Sequence, residues 1–247
     1  MLNQHRYRVA YRGFTIVELL IVIVVIAILA VITIVAYNGV QQQAKSSALK
    51  SEMSQLQRTI QVSALQNDGN SVSLEAPVAY LKTPGTGALA SPLVSAQEVT
   101  LYVVFNTSNN LASSWGTIAH LTPHANANNG FAIRASEPDT DRVNGFYATT
   151  TSSNQSIHHT GIRNTTGRHV GWITAKVGTV ESSVDNATPI VRSIPAHTGW
   201  NFTDVILYAQ TGATGVAALV FPEYHTEAMR QQVLRWLDRE YAIDYYT

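Results

Sequence analysis

Glu18 is a carboxylate at the head of an apolar run: from Leu19 to Ala36 only Thr33 is not apolar. An acid inside a membrane segment costs roughly 2.5 kcal/mol or more, so such a group is usually paired and functional. The chemistry it offers is pairing with a positive charge. The bland alternative is an acid close enough to the interface to reach water. Ahead of the run stand Arg6, Arg8 and Arg12 with no acid among them. That asymmetry keeps an N-terminus in the cytoplasm and places everything after Tyr37 outside. About 18 apolar residues cross most of a bilayer core as a slightly tilted helix. A secretory signal peptide fits less well, since its apolar part is shorter and a small-residue cleavage site follows it. Here the small residue that matters, Gly13, precedes the run.

Other polar clusters offer weaker chemistry. Glu137, Asp139 and Asp141 alternate with Pro138 and Thr140, and on a strand they would share one face. Paired carboxylates can cleave glycosidic bonds, but Pro138 argues against a central strand. A calcium loop with oxygens from Asp139, Asp141 and Asn144 is the second reading, and a plain surface loop is the favoured one. Calcium is thus the one cofactor the sequence raises. His158, His159, Arg163, Arg168 and His169 form a local basic patch. Adjacent histidines on a strand face opposite ways, and so few permanent charges are a poor phosphate trap, so DNA is not an expected partner. Of the four tryptophans, Trp172 lies in an apolar strand and Trp236 on a helix stripe, which marks both as core. Trp115 and Trp200 sit among Ser, Gly, His and Asn, and are the candidates for stacking on a ligand such as a sugar ring. No nucleophile–His–Asp arrangement and no phosphate-binding glycine loop stands out. No enzyme is expected, and the absence of cysteine removes thiol, disulfide and thiolate–metal chemistry.

These residues must be positioned by the rest of the chain. The 247 residues suffice for one substantial domain beyond the apolar helix. Removing Arg6, Arg8, Arg12 and Glu18 from the 16 basic and 16 acidic residues leaves 13 against 15, so no basic field draws nucleic acid. After the apolar run, Leu49, Met53, Leu56, Ile60 and Ala64 recur at spacings of three and four, which continues the helix as an amphipathic one. Asn67-Asp68-Gly69-Asn70 is a stop signal. Residues 68–97, with Pro77, Pro84, Gly85, Gly87 and Pro92, read as a linker. Strand-like runs follow at 99–105, 117–121, 130–134, 145–149, 170–177, 190–194, 202–209 and 216–221, which predicts an antiparallel sandwich over 98–247. A closing helix over 226–241 buries Met229, Val233, Trp236, Leu237 and Tyr241. The fold class is α+β.

Residues 13–18, G-F-T-I-V-E, followed at once by the apolar run, resemble the class III signal of the type IV pilin family. A plain signal anchor is the alternative. The resemblance implies that a prepilin peptidase cuts between Gly13 and Phe14 and methylates the new amine of Phe14. Residues 1–13 are then the leader, 14–37 the membrane and filament-core helix, and 38–67 its amphipathic continuation. Glu18 falls on the family's acid at the fifth mature position. Its implied partner is the Phe14 amine of a neighbouring subunit, a pairing that neutralises both charges and sets the axial register. Partners so implied are other pilin subunits, the peptidase, the assembly machinery and the inner membrane. The chain departs from many pilins in having Val35 where they carry proline, and in lacking the cysteines that close their C-terminal loop.

A second resemblance covers about residues 76–245. V-T-L-Y-V-V-F-N-T-S-N, G-T-I-A-H-L, G-F-A-I-R-A-S and H-V-G-W-I-T-A-K-V-G-T-V resemble strands of a concanavalin A-like (laminin-G-like) jelly roll. The closing stretch from Ala217 to Ile243 resembles that family's last strand, turn and helix. The resemblance implies a lectin-like head on a pilin helix: a minor or tip pilin that presents an adhesive surface to a glycan or host cell. A ligand-free major pilin, and a pseudopilin of a secretion or DNA-uptake system, are the other two readings.

Overall fold

In the computed structural model, residues 15–107, 116–122, 131–135, 143–148, 154–159, 167–194, 199–210 and 212–244 are described. The chain divides into two units, residues 1–46 and 47–247.

Helix α1 (Ile16–Asp68, 53 residues) supplies all the described regular structure of the first unit. At 1.5 Å per residue it is about 80 Å long. It ends at the predicted stop: Gly69 takes φ 69° and donates its N–H to Leu65 O at 3.2 Å. Only glycine adopts that left-handed turn without strain, which is why the helix closes there.

Among the described residues, the second unit holds the last turns of α1, thirteen strands and helix α2. The strands are β1 (Ala79–Leu81), β2 (Gly85–Ala96), β3 (Glu98–Thr107), β4 (Gly116–Thr122), β5 (Phe131–Ala135), β6 (Val143–Ala148), β7 (Asn154–His159), β8 (Gly167–Lys176), β9 (Thr179–Val184), β10 (Ile190–Ser193), β11 (Trp200–Leu207), β12 (Ala209–Gln210) and β13 (Ala213–Phe221). Helix α2 spans Glu227–Tyr241. One sheet runs β1-β13-β3-β8-β9-β10, with β12 beside β13, and the other β2-β11-β4-β5-β6-β7. Every pairing is antiparallel. Because neighbours in sequence repeatedly fall in opposite sheets, the apolar residues of both inner faces meet in one core.

Alternation decides which face each residue of β3 serves. Val99, Leu101, Val103 and Phe105 join the core between the sheets, with Ile133, Phe131 and Val205 from the opposing sheet. Tyr102 and Val104 point the other way, into a second core with Ile60, Trp172, Phe221, Val233 and Trp236. β3 is therefore buried on both faces, which explains its unbroken apolar run. The second core is where α2 and the end of α1 cover the sheet. Met53, Ile60 and Ala64 are buried and Leu49 and Leu56 half-buried, as the stripe predicts. On α2, Val233, Trp236 and Leu237 are buried, and Met229 and Tyr241 are partly buried.

Residues 68–97 are not a linker throughout. β2 pairs with β11 from Gly85 to Ala96, through two register irregularities. It is an edge strand, and an edge tolerates Pro92 and glycine where a central strand would not. β1, β7 and β9 are also strands that apolar periodicity did not reveal.

Candidate functional site

Two regions hold functional side chains. The first is the head of α1. Thr15 precedes the helix, and its Oγ1 accepts the N–H of Glu18 at 3.2 Å. Glu18 Oε2 in turn accepts the N–H and the hydroxyl of Thr15, each at 2.8 Å. This is a capping box, in which two orphan donors of a helix start are satisfied reciprocally. Both bonds from Thr15 fall on Oε2, and among the described residues Oε1 has no partner. Glu18 thus caps its own helix and still offers an oxygen to a second group. Behind it, Ile16–Thr33 is long and apolar enough to cross a membrane, and none of it is buried. An eighteen-residue stretch in which all but Glu18 and Thr33 are apolar, without a covering surface, needs lipid or other helices as solvent. Gly13 and Phe14 lie outside the described residues.

The second region is the outer domain. Trp200 is not available for stacking. It is 4 % exposed, belongs to the core between the sheets, and meets Phe131 edge-on at 6.0 Å. Its polar neighbours have another cause: Gly199 has φ 106°, and a Cβ there would come within 2.5 Å of the Ser95 backbone. The glycine serves a tight approach of β11 to β2, not an exposed loop. Trp115, Asp139 and Asp141 lie outside the described residues, as do Glu137 and Arg163.

Of the basic patch, the side chains of Arg168 and His169 are described, and both are engaged within the fold; Arg163 and the side chains of His158 and His159 lie outside the description. Arg168 donates to Tyr241 O at 2.6 Å and to Asn106 Oδ1 at 3.2 Å. His169 is 1 % exposed and stacks at a tilt on Phe105. Its Nδ1 lies 2.8 Å from Asp185 Oδ2 and its Nε2 3.0 Å from Thr107 Oγ1. With Nδ1 donating to the carboxylate, Nε2 accepts from the hydroxyl. Local pattern does not reveal this line of Thr, His and Asp, because the three residues come from β3, β8 and the turn after β9. Asp185 Oδ1 also accepts the Val170 N–H, and the Asp185 N–H donates to Val170 O. The carboxylate thereby pins the β9–β10 turn to β8, although Asp185 itself takes φ 51°.

Beside that turn, a pocket of about 300 Å³ opens between residues 185–189 and the first turns of α2. Trp172 and Leu234 line it from the protein side, with Arg230 beside them. The Arg230 guanidinium lies 4.5 Å over the Trp172 ring, donates to His225 O at 2.8 Å, and pairs with Glu181 at 3.0 Å. Tyr224 also bonds Glu181, and burial pushes its hydroxyl up to about 12. His225 is buried, its Nδ1 lies 2.7 Å from the Tyr102 hydroxyl, and burial lowers its pKa. Its N–H reaches both Thr100 and Thr174, so this knot ties the segment before α2 to the sheet. Among the described residues no group of three or more His, Asp and Glu is arranged to hold a metal ion.

Residues 8–34 match the prokaryotic N-terminal methylation motif. No curated protein matches the chain. Solved structures with similarity include the binding domain of botulinum neurotoxin serotype D, at 12 % identity and TM-score 0.48, covering 67 % of this chain and 45 % of that one. The binding domain of serotype D/C VPI 5993 is 12 % identical at TM-score 0.45, over 57 % of this chain and 37 % of that one. This chain spans less than half the length of either. The motif is the leader of type IV pilins. It supports a type IV pilin-like subunit, and it implies processing by prepilin peptidase and assembly with other pilin subunits. Together with the apolar helix it supports membrane anchoring before assembly into an extracellular pilus.

Proposed function

We propose that the chain is a minor or tip subunit of a type IV pilus, and that its sandwich is a lectin-like head for adhesion. The observation that carries the pilus reading is the coincidence of the methylation motif over residues 8–34 with a helix whose apolar stretch, Ile16–Thr33, no described residue covers. Arg6, Arg8 and Arg12 hold the N-terminus in the cytoplasm. Cleavage after Gly13 frees the amine of Phe14, which is methylated. In the filament that amine meets Glu18 of a neighbour, whose Oε1 is left over by the capping box. The adhesive role rests on the size of the head, two sheets of seven and six described strands beyond the helix. The test is to shear filaments from cells and sequence them by mass spectrometry. The chain should be a minority component beginning at Phe14 with one added methyl group, and cells lacking it should keep filaments but lose adhesion. Loss of all filaments would mark a major subunit, and unchanged adhesion would remove the lectin role.

A further inference from the structure

The pocket between the β9–β10 turn and α2 is built more firmly than an accidental crevice. On one wall the turn is fixed by Asp185 through Val170 and His169, by the Ala187 N–H to Val184 O at 3.1 Å, and by the Ser183 hydroxyl to Ala187 O at 2.6 Å. On the other wall Arg230 is locked by Glu181, His225 O and the Trp172 ring. A site whose walls are held before a ligand arrives spends little on ordering. Its volume is at the small end of ligand pockets, fit for one ring-sized group.

The lining decides the chemistry. The exposed Pro189 and Ala187 methyl, with the buried Trp172 and Leu234 behind them, give an apolar wall. Asn186, Thr188 and Gln231 carry groups that both donate and accept. Hydroxyl groups do the same, and a pyranose combines a ring of hydroxyls with one apolar face. The ions present do not call for a charged ligand. Arg230 is already paired with Glu181, Asp185 is already engaged by His169, and Glu227 at the rim repels an anion.

We infer that this pocket binds the ring of a neutral sugar, and is the ligand site of the head in place of the Trp115 and Trp200 loops. The inference rests on the adhesive reading above. It is tested on the full chain in detergent micelles by saturation-transfer NMR with glucose, galactose, mannose, N-acetylglucosamine and, as an anionic probe, N-acetylneuraminic acid. At least one neutral sugar should show transfer. Ala187→Trp, which places an indole in the pocket, should weaken it at least ten-fold, and Gln231→Ala several-fold. Transfer from none of the neutral sugars, transfer from the anionic sugar alone, or undiminished transfer in a folded Ala187→Trp would each overturn the inference. If Ala187→Trp fails to fold, Gln231→Ala decides alone: unchanged affinity overturns it. None of these results touches the adhesive reading, which depends on the filament and adhesion assay.

Discussion

The two ends of α1 are one helix in two environments. From Ile16 to Thr33 every residue is exposed, and the apolar side chains go all the way round. From Leu49 to Ala64 the apolar residues Leu49, Met53, Leu56, Ile60 and Ala64 fall on one stripe, with Val62 exposed off it, and Ile60 is wholly buried. A helix apolar on all sides must find its partners outside the chain, whereas a striped one finds them within its own domain. The first half is therefore held by lipid or by other subunits, and the second half by the head. Polar clasps reinforce the second half: Gln57 donates to Leu74 O, Arg235 pairs with Asp68 at 2.8 Å, and Arg239 donates to Ser63 at 3.0 Å.

The difference can be broken by placing the same charge in each half. Ile60→Asp buries an unpaired carboxylate in the second core and should cost more than about 4 kcal/mol, enough to unfold the head. Circular dichroism melting in micelles reads it out, and an unchanged melting temperature would mean that the stripe is not core. Ile23→Asp should cost roughly 2.5–3.5 kcal/mol of membrane insertion and leave the head's melting temperature where it was. Membrane fractionation and the same melt separate the two effects.

Acid acts on the head through His225, which is buried there. His225 has its pKa lowered, first by burial and also by Arg230, with Glu223 opposing. The unfolded chain takes up a proton near 6.5 that the folded chain refuses. Stability is thus full above pH 6.5 and falls as the pH drops toward the folded value, by at most about 1.4 kcal/mol per pH unit. Melts at pH 7 and pH 5 should show the drop, and His225→Gln should flatten it. A smaller effect has the opposite sign. Burial, then Glu223 and Glu98, raise the Glu75 pKa above 4.5. Its ionisation is unfavourable in the folded state, so Glu75→Gln should add a few tenths of a kcal/mol at pH 7. The gain should vanish below pH 4.5, where the native carboxyl is protonated as well.

What the sequence revealed depended on whether local pattern or distant contact set each feature. The stripe from Leu49 to Ala64 and the Gly69 stop follow from helical period and left-handed φ, both local. β3 was legible because both its faces are buried. β9 was not, since Ser182 and Ser183 are buried polar residues that hide the alternation. β2 was hidden by the proline and glycines that its edge position permits. Trp200 was misplaced because the glycine beside it answers to a backbone 104 residues earlier in the chain, at Ser95. The pocket was invisible for the same reason: nothing near Asp185 announces that α2 will face it. The stripe also shows that a fragment starting at residue 70 would strip Met53, Ile60 and Ala64 from the second core, so tests of the head belong on the full chain.

On the proposed function, the charge of Glu18, beyond its capping role, brings the subunit into the filament. Glu18→Gln separates the two, because a glutamine oxygen can still close the box with Thr15 while the charge is gone. The decisive measurement is the amount of this variant in sheared filaments relative to its amount in the membrane. The variant should be inserted and cleaved normally but be at least ten-fold depleted from filaments. Incorporation at the native level would show instead that Glu18 only caps its helix.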